Sequence, residues 1–213
     1  MPSSTPIPRL YAILDAALVS GAEEKTAATL AEAGVQLIEY RNKKATSRTF
    51  FDISNAICAR LSRYAVRFIV NDRPDIAFLV GAGGVHVGQD DLPVAEARLV
   101  CGPERWVGLS THNLEQVRAA EETTADYVAF GPVFATPTKE RADPVVGIET
   151  LRQARRLTTK PLVAIGGITL DRAKEVYAAG ADSLAVIRDL AVGSNPGGRA
   201  LEYLALARDV FPT

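Results

Sequence analysis

Eight short apolar runs, each followed by a longer amphipathic stretch, recur along the whole chain. They are Arg9–Leu14 (RLYAIL), Leu37–Arg41 (LIEYR), Arg67–Asn71 (RFIVN), Gly84–Gln89 (GVHVGQ), Trp106–Thr111 (WVGLST), Tyr127–Pro132 (YVAFGP), Pro161–Gly167 (PLVAIGG) and Ser183–Ile187 (SLAVI). Rich in Val, Ile, Leu and aromatics and too short for helices, they read as strands buried on both faces. Helical patterns fill the gaps at Glu23–Ala33, Thr46–Arg63, Pro74–Val80, Pro93–Val100, Leu114–Thr124, Ile148–Leu157, Leu170–Ala179 and Pro196–Asp209. Capping residues (Thr46, Asn113, Thr169) open several of them, and glycines (Gly34, Gly81, Gly180) close several.

Strand–helix alternation without a proline- or serine-rich linker implies parallel βα units. An eight-stranded barrel and an open doubly wound sheet compete for that pattern. The count of eight favours the barrel, and so does a recurring helix-to-strand phrase, seen in AGVQLIEY, GAGGVHVG and AGADSLAV. No GxGxxG follows the first strand, which argues against a dinucleotide-binding sheet. The expected fold is therefore α/β, a single (β/α)8 TIM barrel spanning residues 1–213, with residues 1–8 a flexible N-terminal extension. At 213 residues it is a short example of that fold.

Charge narrows the function. The 24 Lys and Arg against 25 Asp and Glu leave a formal charge of −1, so there is no diffuse pull on nucleic acid or anionic membrane. Aromatic residues make up 7% of the chain, with a single Trp, which is poor material for a base-stacking surface. No apolar stretch reaches the ~20 residues that span a bilayer, and the start carries no signal pattern. Two cysteines, Cys58 and Cys101, form no framework. A cytoplasmic protein that acts on small molecules is expected, with a homo-oligomer allowed.

Barrel active sites gather at the carboxyl ends of the strands. Here those ends carry Glu39, Arg41 and Lys43 after strand two, and Asn71 and Asp72 after strand three. Gln89, Asp90 and Asp91 follow strand four, and Ser110, Thr111 and His112 follow strand five. Strand six runs into GPVFATPTK (Gly131–Lys139), strand seven into Gly166-Gly167, and strand eight into Ile187-Arg188. Two carboxylates, Asp72 and Asp91, on neighbouring strands suit a hard cation shared with phosphate oxygens. Arg41, Lys43 and Lys139 suit the phosphates themselves. Gly166 and Gly167 stand where barrels bind a second phosphate, with Thr136, Thr138 and Lys139 able to close over it from the strand-six loop. Each piece also has a purely structural reading. Asp72 and Asp91 are placed to cap the helices that start at Pro74 and Pro93, and Arg41 and Lys43 could form a solvated run with Lys44. Gly166-Gly167 could be a plain turn. His86 reads as a buried, hydrogen-bonded histidine, and His112 as packing at a helix start.

The ordered motifs resemble one family. They are Tyr40-Arg41-Asn42-Lys43, Val70-Asn71-Asp72, His86-Val87-Gly88-Gln89-Asp90-Asp91, Gly108-Leu109-Ser110-Thr111-His112, Gly131-Pro132-Val133-Phe134 with Thr136-Pro137-Thr138-Lys139, and Ile165-Gly166-Gly167-Ile168. Over nearly its whole length the chain resembles the thiamine phosphate synthases. The resemblance implies a Mg²⁺-dependent transferase that condenses hydroxymethylpyrimidine diphosphate with hydroxyethylthiazole phosphate. In that family the C–O bond breaks first, and the thiazole nitrogen captures the resulting carbocation. By the family pattern Glu39, Arg41, Lys43, Asn71, Ser110 and Lys139 hold the pyrimidine diphosphate, with Arg41, Lys43, Ser110 and Lys139 carrying the chemistry. Asp72 and Asp91 hold Mg²⁺. Thr136, Thr138, Gly166, Gly167, Ile187 and Arg188 hold the thiazole phosphate. Two positions depart from the pattern: Glu39 stands where Gln is usual, and Arg188 where a small Ser is usual. A related thiazole tautomerase, which uses a histidine after strand five, is the alternative enzyme. A non-catalytic phosphate-binding barrel is the alternative from another class.

Overall fold

In a computed structural model, residues 6–19, 21–136, 144–191, 193 and 195–212 are described. Eight parallel strands close into one barrel in sequence order: β1 (Leu10–Asp15), β2 (Leu37–Arg41), β3 (Arg67–Asn71), β4 (Gly84–Val87), β5 (Trp106–Thr111), β6 (Tyr127–Phe130), β7 (Leu162–Ile165) and β8 (Ser183–Val186). The helices among the described residues are α1 (Ala16–Val19), α2 (Glu23–Glu32), α3 (Ser47–Leu61), α4 (Pro74–Leu79), α5 (Val94–Cys101), α6 (Leu114–Glu121), α7 (Gly147–Arg155), α8 (Leu170–Ala178), α9 (Arg188–Ala191) and α10 (Pro196–Val210). Of the residues expected to form an N-terminal extension, 1–5 lie outside the described residues, while Ile7 is buried in the inner core.

Alternation along each strand divides the apolar residues into two sets. One set, including Leu10, Ala12, Leu14, Ile38, Tyr40 and Val70, packs outward beneath the helices. The other lies inside the barrel: Tyr11, Ile13, Leu37, Ile69, Trp106, Tyr127 and Val163, with Ile7. Large aromatics fit inside because neighbouring inward positions are empty. Gly108 stands opposite Tyr127 in the β5–β6 register, and a Cβ on it would lie 2.0 Å from Tyr127 Cζ. Gly84 makes the same room beside Trp106, where a Cβ would meet the Trp106 carbonyl oxygen at 2.5 Å.

Helix ends follow their local chemistry. Thr46 accepts from the Thr49 N–H at 3.2 Å, and Asn113 from the Gln116 N–H at 2.9 Å. Thr169 occupies the capping position of α8 without a side-chain capping bond; Asp189 instead accepts from the Leu170 N–H at 3.2 Å. The capping readings of Asp72 and Asp91 do not hold. The residues at the starts of α4 and α5 are Arg73 and Pro93, neither start has a side-chain cap, and both aspartates face the barrel mouth.

Candidate active site

At the carboxyl ends of the strands the barrel opens into a cavity of about 1140 Å³. Its walls include Glu39, Arg41, Lys43, Asn71, Asp72, Asp91, Ser110, Thr136, Gly166, Gly167, Ile187 and Arg188, so one cavity gathers these sequence-expected site residues. Thr138 and Lys139 lie outside the described residues. Parallel register explains the gathering: each strand delivers its last inward residues to the same end, as when Ile13 aligns with Glu39 and Asn71 with His86.

One wall is cationic, and every cation there is held. Arg41 donates from Nη1 to Asp15 Oδ2, and Asp15, 5% exposed, also accepts from the Ala17 N–H at 2.9 Å. Lys43 Nζ pairs with Asp72 Oδ2. Asp15 is absent from the sequence expectation, which ends the first strand at Leu14. The signal for it was present, a carboxylate at the end of an apolar run level with Arg41 on the next strand.

Asp72 adopts a left-handed backbone (φ 60°), where it is the only non-glycine among the described residues. Its N–H donates to the His86 carbonyl at 2.8 Å, which aims the carboxylate across the mouth. A left-handed aspartate costs little when its side chain and N–H are both engaged, and such positions concentrate at functional sites. Beside it, Asp91 accepts from the Gly88 N–H at 2.7 Å. Burial pushes the Asp91 carboxyl up, and the adjacent Asp72 carboxylate adds to this, while the Gly88 N–H and Lys43 oppose it. Two acids crowded in this way are an electrostatic deficit that a cation relieves.

The cavity floor is polar and continuous. Glu39, 2% exposed, accepts from the Tyr11 hydroxyl at 2.5 Å. The Tyr11 and Tyr127 hydroxyls lie 2.9 Å apart, and Tyr127 is 3.1 Å from His86 Nδ1. His86 Nε2 is 2.8 Å from Ser110 Oγ. His86 is thus buried and hydrogen-bonded, as its place within a strand implies. Burial raises the Glu39 carboxyl to about 8, helped by the Asp72 charge, whereas Tyr11, Arg41 and Lys43 pull the other way. Burial likewise carries both tyrosines well above their usual range, with Glu39 adding to each.

The opposite wall is shaped by backbone. Gly166 (φ 99°) and Gly167 (φ 63°) let β7 turn sharply under the strand-six loop, which is fixed by Val133 N–H to Ile165 O at 2.8 Å and Phe134 N–H to Gly166 O at 3.0 Å. A Cβ on Gly166 would lie 2.5 Å from Pro132, and one on Gly167 2.6 Å from the Ala135 carbonyl. Arg188 is exposed at the start of α9, and Arg172, a further cation on this wall, donates to the Gly167 carbonyl at 2.9 Å. His112 lines the cavity too, with Nδ1 2.7 Å from the Gly131 carbonyl oxygen.

A closed (β/α)8 barrel whose strand ends bring paired carboxylates, paired cations and a glycine turn to one mouth belongs with the barrel enzymes that handle phosphorylated substrates. Residues 10–190 match the family described as thiamine monophosphate synthase. The thiamine-phosphate synthase of Koribacter versatilis is 48% identical over 97% of this chain and 99% of its own, and that of Albidiferax ferrireducens 41% identical over 93% and 91%. The solved thiamine phosphate pyrophosphorylase of Pyrococcus furiosus superposes with a TM-score of 0.87 at 32% identity, covering 95% of this chain and 96% of that one. The chain belongs to the thiamine monophosphate synthase family. It is accordingly an enzyme, a transferase of thiamine biosynthesis.

Proposed function

We propose that the barrel mouth condenses hydroxymethylpyrimidine diphosphate with hydroxyethylthiazole phosphate, forming thiamine phosphate and releasing pyrophosphate. The observation that carries this reading is the meeting of Asp72 and Asp91 beside Lys43 and Arg41 in one cavity. Arg41, steadied by Asp15, presents its guanidinium fork to the diphosphate, and Lys43 adds a point charge. When the carbon–oxygen bond breaks, the diphosphate leaves with the electron pair, and these cations take up the charge that develops. The thiazole nitrogen then supplies the pair for the new carbon–nitrogen bond, so no side-chain nucleophile is needed. Alignment of the two substrates across the cavity supplies the rest. In this reading Asn71 and Ser110 hold the pyrimidine. Thr136, Thr138, Gly166, Gly167 and the Ile187–Arg188 backbone hold the thiazole phosphate, and Lys139 holds the diphosphate.

The donor set fits Mg²⁺. Among the described residues no three His, Cys, Asp or Glu side chains group together. Two carboxylates leave most of an octahedral shell to water and phosphate oxygens, which is how Mg²⁺ is commonly held. Asp72 and Asp91 would hold it, and when bound it would add positive charge for the leaving diphosphate. The unpaired thiols Cys58 and Cys101 fit a reducing cytoplasm. Among the described residues no helix is long and apolar enough to cross a membrane.

The test mixes purified protein with both substrates over a Mg²⁺ series and measures thiamine phosphate and pyrophosphate. Product should appear with Mg²⁺, and Asp72→Asn should raise the Mg²⁺ concentration for half-maximal rate about tenfold or more, by loss of one anionic ligand. No product at any Mg²⁺ concentration refutes the condensation. Isomerisation of the thiazole phosphate alone would instead support the tautomerase reading, which leaves the Asp72, Asp91 and Arg41 arrangement without a task.

A further inference from the structure

Three successive carbonyl groups at the end of β7 are tied back. The Val133 N–H donates to Ile165 O at 2.8 Å, and the Phe134 N–H to Gly166 O at 3.0 Å. The third carbonyl, on Gly167, accepts from Arg172 Nη1 at 2.9 Å. The first two bonds come from backbone and belong to the fold, whereas the third comes from a side chain and depends on one residue. Gly167 is also where the turn is freest to change, because its left-handed backbone (φ 63°) carries no side chain. Among the described residues the N–H groups of Gly167 and Ile168 donate to no protein acceptor, and both residues line the cavity. Successive N–H groups left open while their carbonyls are held form a seat for an anion. A flip of the Gly167–Ile168 peptide would exchange an N–H for a carbonyl oxygen and turn the seat against an anion.

Arg172 is fixed from two sides. Its guanidinium carbon lies 4.5 Å from the centre of the Phe134 ring, so the planar group rests on the strand-six loop while it bonds the strand-seven turn. Arg41 and Lys43 on the facing wall are each paired with a carboxylate, but among the described residues Arg172 has no such partner. It lines the cavity, and only one of its five N–H groups is engaged by Gly167. The carboxylate on this wall, Asp189, is already occupied. It accepts from Arg199 Nε at 3.0 Å, from the Tyr203 hydroxyl at 2.6 Å and from the Leu170 N–H at 3.2 Å. Helix chemistry does not favour an arginine here, because Arg172 stands in the first turn of α8, at the positive end of the helix dipole. A residue that breaks a local rule on a cavity wall points to a task in the cavity.

We propose that Arg172 is the positioning and specificity residue of this anion seat: it locks the Gly167 peptide against flipping and adds its open N–H groups, so that the seat takes a phosphate monoester in preference to the neutral alcohol. That the monoester is the thiazole phosphate rests on the function proposed above; the locked turn does not.

A binding arm and a kinetic arm test the two halves. Inorganic phosphate titrated into nitrogen-15-labelled protein should shift the Gly167 and Ile168 amide signals to saturation. In Arg172→Gln the Kd read at those amides should rise about tenfold, the effect of one charge-assisted hydrogen bond. In turnover, Arg172→Gln should lower the ratio of kcat/KM for the thiazole phosphate to that for the thiazole alcohol about tenfold, with KM for the pyrimidine diphosphate unchanged. A merely structural role would lower both thiazoles together. Arg172→Lys keeps the charge without the planar fork and should recover only part of the loss. The proposal is overturned by an absent phosphate shift at the two amides in the wild type, or by an unchanged Kd or ratio in Arg172→Gln. Full rescue in Arg172→Lys overturns it as well, because charge alone would then suffice. A wild type that turns over neither thiazole refutes the proposed function, while the phosphate titration independently decides the role of Arg172.

Discussion

Glu39 offers the sharpest test of the electrostatics inside the barrel. Its carboxyl titrates at about 8 in the folded chain, against 4.5 when free, chiefly because it is buried. Between those values the folded protein holds a proton that the unfolded chain has lost. Stability must therefore fall as pH rises through that window. Below the window both states are protonated and Glu39 contributes nothing; above it both are ionised and the whole penalty is carried. At about 1.4 kcal/mol per pH unit the penalty accumulates to about 3–5 kcal/mol, the lower figure allowing for relaxation around the charge. Glu39→Gln keeps the shape and an acceptor for Tyr11 but cannot titrate. Urea unfolding of both proteins at pH 5 and pH 8, in chelator to exclude divalent cations, isolates the effect, since the other titrating groups are common to both. With a urea slope of about 3 kcal/mol per molar, the midpoint of Glu39→Gln should gain roughly 1 M on wild type between the two pH values. An equal difference at pH 5 and pH 8 would show that Glu39 is not held as an acid, and the account of the floor would fail with it.

Two further substitutions probe what holds the site in shape. Asp15→Asn takes the charge from the buried partner of Arg41; it should cost about 3 kcal/mol in urea unfolding and raise KM for the diphosphate substrate more than that for the thiazole phosphate. Gly108→Ala places a methyl 2.0 Å from Tyr127 Cζ and should cost about 3 kcal/mol or more, read as a lower thermal midpoint.

The barrel was legible because its information is local. Each apolar run is bounded by turn chemistry, and the ranges read for β2, β3 and β5 coincide with the observed strands. Strand ends were legible as well, since a parallel barrel sends them all one way, and that brought Arg41, Lys43, Asp72 and Asp91 to the same mouth. The helices α1 and α9 were not, because four residues show no amphipathic period. The tyrosines of the floor were missed for a different reason. Tyr11 and Tyr127 read as ordinary apolar strand residues, and their hydroxyls matter only because two positions 116 residues apart face each other across the barrel. That meeting is set by closure and register, which no window along the chain contains.

The two departures from the family pattern differ physically for the same reason. Glu39 lies inside the barrel, where an unpaired charge would be costly, so the surroundings decide its state. Burial favours the acid, and Tyr11 donates to a carboxyl oxygen as readily as it would to an amide. Under the proposed function a glutamate here can therefore stand in for the glutamine of the family pattern through its uncharged form, leaving Arg41 and Lys43 to the diphosphate. Arg188 lies at the exposed rim, where water meets most of the cost of its charge and its length lets it swing clear of the cavity. A serine-sized contact there has to come from backbone. The inner departure is absorbed by protonation and the outer one by solvation, so the barrel wall between them is what allows both.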